Sequence, residues 1–196
     1  MKKQNSKASE RKLSAKKKLA RDQLRDEVFW ALTLLHSVLG TCDRLRTCSS
    51  AEKNKRLVGF GYNGSLPSQP HCDEVGHLMI DGHCERTRHG ETNLRINTSP
   101  EDLRDSIVRV IATPCLPCMR DELISFGARE VYYSGIYQNA KGKEIIEELA
   151  KRSNVELVHC DIDWVSIFQK IFNRLSEPGG AFFNQGFKIK LIKESV

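Results

Sequence analysis

His89-Gly90-Glu91 and, further along, Pro114-Cys115-Leu116-Pro117-Cys118 constrain this chain more than any other feature. One imidazole and two thiols are metal donors, and a carboxylate stands two residues after the imidazole. Three such donors leave the fourth position of a tetrahedral zinc open to water, the arrangement of a catalytic site. The carboxylate can then move protons for that water. The fold must therefore bring two separate segments to one point. Cys115 and Cys118 fall at the start of a predicted helix, where the helix N-terminus and a metal both favour thiolate. His89 opens the preceding predicted helix, and Glu91 lies in its first turn, close enough to serve the water without being a ligand.

Other readings of these residues explain less. A structural zinc is normally closed by a fourth donor. A redox C-x-x-C at a helix start leaves His89 and Glu91 without a role. His83-Cys84-Glu85 repeats the H-x-E spacing, but Arg86-Thr87-Arg88 follows it, whereas Glu91 leads into the helix-compatible Thr92-Asn93-Leu94-Arg95-Ile96.

Strands alternating with helices form the frame. Leu24, Val28, Leu32 and Leu35 recur at helical spacing, predicting an amphipathic helix that ends near Gly40. Lys53-Asn54-Lys55 reads as a hairpin turn before a strand over Arg56–Gly61. Residues 62–88 are rich in Gly, Pro, His and Cys and read as a long loop, functional or internally stapled. His89 to Ile96 is a short helix, ended by Thr98-Ser99-Pro100. Ile107–Ala112 is a buried strand, and a helix then runs from Pro114 to Phe126 with Gly127 as its stop. Glu130–Tyr133 and Val155–His159 are strands; Lys143–Arg152 and Trp164–Leu175 are helices. The alternation predicts an α/β protein, a three-layer α/β/α domain with a central mixed sheet. Beyond Glu177-Pro178-Gly179-Gly180, alternation at Phe187, Ile189 and Leu191 reads as an edge strand or a subunit-contact arm. Three regions are expected: a basic, disordered tail over 1–22, a domain over 23–176, and an extension over 177–196.

Charge is concentrated at one end. Residues 1–21 hold nine Lys/Arg and one Glu, a net of +8, so the rest of a chain of net +6 stands at −2. Such a tail can meet nucleic acid or another anionic surface, or simply be solvated. It contains no aromatic residue for stacking single-stranded bases. No apolar run approaches the roughly 18 residues of a membrane span, and the N-terminus has no signal-peptide pattern. The expectation is a cytoplasmic protein with no membrane partner. Its seven cysteines then read as thiols or metal ligands rather than disulfides.

Gly61-Tyr62-Asn63-Gly64-Ser65, His71-Cys72-Asp73-Glu74-Val75-Gly76-His77, His83-Cys84-Glu85-Arg86-Thr87, His89-Gly90-Glu91-Thr92-Asn93 and Thr113-Pro114-Cys115-Leu116-Pro117-Cys118 together resemble the deoxycytidylate (dCMP) deaminases of the cytidine deaminase-like superfamily. The resemblance spans roughly Leu24 to Asp161. It implies hydrolytic deamination of dCMP to dUMP, with zinc held by His89, Cys115 and Cys118 and protons carried by Glu91. It also implies substrate contacts from Asn63 and Tyr137. The backbone of Gly90 or Cys115 is a candidate donor to the reacting group, and Gly90 is small enough to admit substrate. Arg86 and Arg88 are near enough in sequence to meet a phosphate, or are solvated.

Some members carry a second, structural zinc in the long loop. The set offered here is Cys42, Cys72, His77 and Cys84, with His83 as a substitute; free cysteines and solvated histidines are the plain alternative. Cys48 and Cys160 read as buried thiols. Many members are homo-oligomers regulated by dCTP and dTTP with Mg²⁺. The chain departs from the family at Gly90, where Ala is usual. It departs again at Arg95 and Asn97, which interrupt a helix that is long and apolar in the family and helps build its subunit contacts. The rival functions are a deaminase acting on a base in nucleic acid, and a non-catalytic zinc fold that binds nucleotide or nucleic acid.

Overall fold

A computed structural model describes residues 2–137, 142–186 and 188–192. Leu32–Ile162 forms one compact unit; the part of the chain up to Ala31 and the part from Asp163 form another. These divisions fall at 31/32 and 162/163, where the sequence suggests 22 and 176.

The larger unit is built on a five-stranded mixed sheet. Its strands are β1 (Cys48–Lys53), β2 (Arg56–Tyr62), β7 (Ile107–Val110), β8 (Glu130–Ser134) and β9 (Glu156–Cys160), in the order β2-β1-β7-β8-β9. β1 is antiparallel to β2 and to β7, while β7, β8 and β9 run parallel. The β1–β2 turn is made by Asn54 and Lys55, both at positive φ (51° and 65°), a pair whose twist suits a two-residue hairpin. Parallel neighbours need crossovers. These are α5 (Cys118–Ile124) between β7 and β8, and α6 (Lys143–Arg152) between β8 and β9.

The two faces of the sheet differ because side chains alternate along each strand. Ala51, Val108, Val110 and Val131 share a dry core with Leu94 of α3 (Gly90–Asn97), Met119 and Leu123 of α5, and Ile146 and Ala150 of α6. On the other face the Ser50 hydroxyl bonds Thr33, near the end of α1 (Lys2–Ser37), at 2.7 Å. Arg109, opposite Ser50 in the register, pairs with buried Glu52 at 2.8 Å. Helices on both faces of a mixed sheet make the expected α/β/α architecture.

The loop over 62–88 carries short elements of its own. They are β3 (Gly64–Ser65), α2 (Cys72–Val75), β4 (Met79–Ile80), β5 (His83–Cys84) and β6 (Thr87–Arg88), with β3 paired to β6 and β4 to β5. After α3, Ser99 caps the single turn α4 (Pro100–Leu103), its hydroxyl accepting from the Asp102 N–H at 3.1 Å.

Three local expectations are revised. The stretch over 2–22, expected to be a disordered tail, continues α1; residues 1–39 contain no Gly or Pro, and their Ala, Lys, Arg and Leu are strong helix formers. The helix expected to Phe126 is widened into a π turn, with the N–H of Ser125 bonding Arg120 and that of Ala128 bonding Leu123, five residues back. The C-terminal extension forms no strand among the described residues; Leu191 N–H instead bonds Gln169 of α7 (Trp164–Ser176), and Phe187 lies outside the described residues.

In the smaller unit, Asp163 caps α7 through the Ser166 N–H at 3.1 Å. Trp30 meets Trp164 edge-on at 6.2 Å, and Lys170 pairs with Glu27. No helix among the described residues is long and apolar enough to cross a membrane.

Candidate active site and a second donor cluster

The candidate site lies past the C-terminal end of β7, where ligands of open α/β sheets commonly bind. His89 is the N-cap of α3, in an extended conformation, and presents Nδ1. That nitrogen is 3.2 Å from Cys118 Sγ and 3.4 Å from Cys115 Sγ. All three donor atoms lie within 4.8 Å of one another. Cys115 closes onto α5 through its carbonyl, which accepts from the Met119 N–H at 2.9 Å.

Without a cation the donors compete for protons. Cys115 is held down to about 4, chiefly by the hydrogen bond from Cys118 and then by His89. Cys118 is pushed well up by that same bond and by burial. His89 rises to about 9, through its hydrogen bond to Cys115 against the opposing effect of burial. Thiolate and imidazole at this spacing form a donor set that suits zinc. Glu91 is buried beside them; burial raises its carboxyl above the usual range, and the positive charge of His89 opposes the shift. A proton-holding carboxyl next to a metal-binding triad is the arrangement that general acid–base chemistry needs.

These groups open onto a cavity of about 510 Å³. Asn63, Thr113 and Tyr137 line it, together with Arg44, Arg86 and Arg88. The structure gives Asn63 a further task. Its Oδ1 accepts from the Thr47 N–H at 3.0 Å and its Nδ2 donates to the Leu45 carbonyl at 2.7 Å, so it pins the 45–47 backbone at the cavity wall. Tyr137 is held by its own N–H on the Thr113 hydroxyl at 3.2 Å.

Gly90 does not line the cavity. A Cβ there would stand 2.7 Å from the Gly61 carbonyl oxygen, and one on Gly61 would stand 2.0 Å from the Leu94 nitrogen. The absent methyl therefore lets α3 lie directly on β2 and does not open space for substrate. Arg95 does not reach outward for a neighbour either; it pairs with Glu122 at 2.6 Å and stacks its guanidinium on Phe126 at 5.0 Å. With Thr92 also on Glu122, this ties α3 to α5, the two elements that hold the donors.

A second cluster stands in the 62–88 loop. Cys42, Cys72, His77 and Cys84 bring four donor atoms within 4.8 Å of one another. Cys72 and Cys84 sulfurs are 3.5 Å apart, and Cys42 Sγ is 3.7 Å from His77 Nδ1. Burial and the neighbouring Cys84 push Cys72 up to about 12. Burial also acts upward on Cys84, but the Arg86 N–H and bonds from Cys72, His77 and Cys42 bring it down to about 6. Asp43, which nothing in the sequence singles out, holds His77 Nε2 at 2.9 Å. A carboxylate on the far nitrogen fixes the imidazole and raises its basicity as a ligand. His83 lies outside both donor groups and lines the cavity; His71 instead bonds Thr41 at 2.9 Å. Cys48 is fully buried, its thiol pushed up to about 12 chiefly by that burial.

Fold and donor geometry define a cytidine deaminase-like protein. ComE operon protein 2 of Bacillus subtilis (strain 168) is 31% identical over 157 residues, covering 79% of this chain and 81% of that protein. The chain belongs to the same family, the dCMP deaminases of the cytidine deaminase-like superfamily. A solved dCMP deaminase from cyanophage S-TIM5, in complex with dCMP and dUMP, superposes with a TM-score of 0.59 at 20% identity, covering 69% of this chain and 96% of that one. RibD of Acinetobacter baumannii shares the fold with a TM-score of 0.52 at 15% identity, over 78% of this chain and 39% of that one. No family model matches the sequence. The chain is thus of a hydrolytic nucleotide or nucleoside deaminase family, with Cys/His groups able to bind metal.

Proposed function

We propose that the protein is a zinc-dependent hydrolase that converts dCMP to dUMP. The observation that carries this reading is buried Glu91 beside the His89–Cys115–Cys118 triad, open to a cavity of about 510 Å³. His89, Cys115 and Cys118 would hold the zinc, which when bound supplies a Lewis acid that brings the acidity of water toward neutral pH. Glu91 does the proton work. It takes a proton from water as the oxygen adds to C4 of the cytosine ring, and delivers it to the ring nitrogen. It then carries a proton to the departing amine, so that the C4–N bond breaks, a C4 carbonyl remains and ammonia leaves. The raised pKa of Glu91 suits both directions of transfer, since the group must hold a proton as well as accept one. Asn63 and Tyr137 would bound the nucleotide from the cavity wall.

Cys42, Cys72, His77 and Cys84 would hold a second, structural zinc. Four donors close a tetrahedral site and would staple a loop that otherwise contributes little to the core.

A base in a polymer is the second reading, favoured by one observation. Lys16, Lys17, Lys18 and Arg21 are exposed on α1, and none pairs with an acidic side chain among the described residues. Such a surface suits a phosphate backbone.

Ammonia release from zinc-loaded protein decides between the two. Substrates are dCMP, dCTP, deoxycytidine, CMP and a cytosine-containing oligonucleotide, with Glu91→Ala as control. Turnover confined to dCMP is expected. Turnover only on the oligonucleotide, steeply lowered by salt, would move the activity to nucleic acid. No turnover of any of them by the wild type would remove the deaminase reading.

A further inference from the structure

Three arginines line the candidate cavity, and two are already occupied. Arg44 donates to the Gly82 carbonyl at 3.1 Å, and Arg86 donates through Nε to the Gly76 carbonyl at 2.8 Å. Both brace the backbone of the 71–84 loop. Arg88 is different. It is half-buried on β6, directly before His89, and no hydrogen bond or ion pair joins its guanidinium to any described residue.

The acidic residues around the cavity do not account for Arg88. Glu122 is taken by Thr92 and Arg95, and Asp121 by Arg120. Glu91 is enclosed with His89 and the two cysteines. Glu85 is exposed and has no ion pair with Arg88. A guanidinium withdrawn from water without a counter-charge loses hydration and gains nothing in the free protein. It becomes favourable when an anion enters. Five donors in a planar fork match the oxygens of a phosphate, often two at a time.

Placement also favours this role. β6 is fixed on one side by pairing with β3, where Arg88 stands opposite Gly64, and on the other by the N-cap of α3 at His89. The backbone of Arg88 is therefore set between Asn63's neighbour and the first metal donor.

We propose that Arg88 binds the phosphate of a nucleoside monophosphate in this cavity and so makes the site select nucleotide over nucleoside. The inference rests on the deaminase reading of the same cavity and deepens it by naming the group that reads the phosphate. Arg88 takes no part in the proton transfers. Its contribution appears as the affinity difference between a substrate with the phosphate and one without.

The test compares dCMP with deoxycytidine on the full-length, zinc-loaded protein in wild-type, Arg88→Gln and Arg88→Lys forms. Turnover gives kcat and KM; calorimetry on a Glu91→Gln background gives binding without conversion. Arg88→Gln is expected to raise KM and Kd for dCMP about 10- to 100-fold, leaving kcat and the deoxycytidine values unchanged. Arg88→Lys should recover part of the loss, because it keeps the charge and loses the fork. An equal loss for both ligands, or no loss for either, would overturn the proposal, as would a wild type that binds both ligands equally. If ammonia is never released but the binding preference for dCMP exists and disappears in Arg88→Gln, Arg88 stands and the deaminase reading falls. Unchanged melting of Arg88→Gln separates the role from support of the fold.

Discussion

The two donor clusters use the same residue types in opposite ways. His89, Cys115 and Cys118 are three donors mounted on α3 and α5, elements that the sheet and the core already hold. They face a cavity, with a buried carboxyl beside them. Cys42, Cys72, His77 and Cys84 are four donors on a loop whose Val75, Leu78, Met79 and Ile80 point to solvent. The first arrangement leaves a coordination position for chemistry, and the second closes. Support differs in the same sense. The frame of the first is tight enough that Gly90 and Gly61 admit no side chain, whereas at Gly76 a Cβ would meet nothing within 4 Å. Core packing would position the one; metal binding would hold the other.

The sharpest test of this contrast is Glu91→Gln, the largest effect expected. Ammonia release should fall by about 10²- to 10⁴-fold, while zinc content by metal analysis stays at the wild-type level. Paired cysteine variants come next. Cys118→Ser should abolish activity with little change in thermal midpoint, because the core keeps α3 and α5 in place. Cys84→Ser should instead open the 71–84 segment to limited proteolysis and lower the midpoint, since there the metal supplies the order. Equal effects on stability from the two would dissolve the distinction between them.

Asp43→Asn is a finer probe. Zinc affinity of the loop cluster, read by competition with a chelator, should weaken by about 10- to 100-fold, with turnover of metal-saturated protein unchanged. The smallest effects concern the glycines. Gly90→Ala should cost about 1–3 kcal/mol in denaturant unfolding through overpacking against Gly61. Gly76→Ala, with room to spare but φ at +80°, should cost about 1–2 kcal/mol from backbone strain alone.

Much of the fold and of the donor chemistry is legible in the chain itself, because its causes are local. Lys143–Arg152 shows the spacing of a surface helix, and the structure has a helix over those residues. Asn54-Lys55 marks a turn between two strands, and both residues adopt the turn conformation. His89 and Cys115–Cys118 stand at helix starts, so their spacing predicts where donors gather once those starts come together. The grouping of Cys42 with Cys72, His77 and Cys84 rests on the family resemblance and on counting donors in one loop; the structure brings their four donor atoms into one cluster.

What the residues alone determined is the chemistry on offer: three soft donors with one proton-bearing neighbour, a second group of donors in a loop, and alternating strands and helices to carry them. Tertiary structure decided how neighbours across the chain use each residue. Gly90 reads in sequence as a gap for substrate and serves as a contact with Gly61. Asn63 reads as a nucleotide contact and is engaged by the backbone of Leu45 and Thr47. Arg95 reads as an interruption and locks α3 to Glu122. Asp43 gives no signal until His77 lies against it. Periodicity and spacing are properties of one segment, whereas close approach and pairing depend on two segments far apart in the chain, and only the folded backbone brings those together.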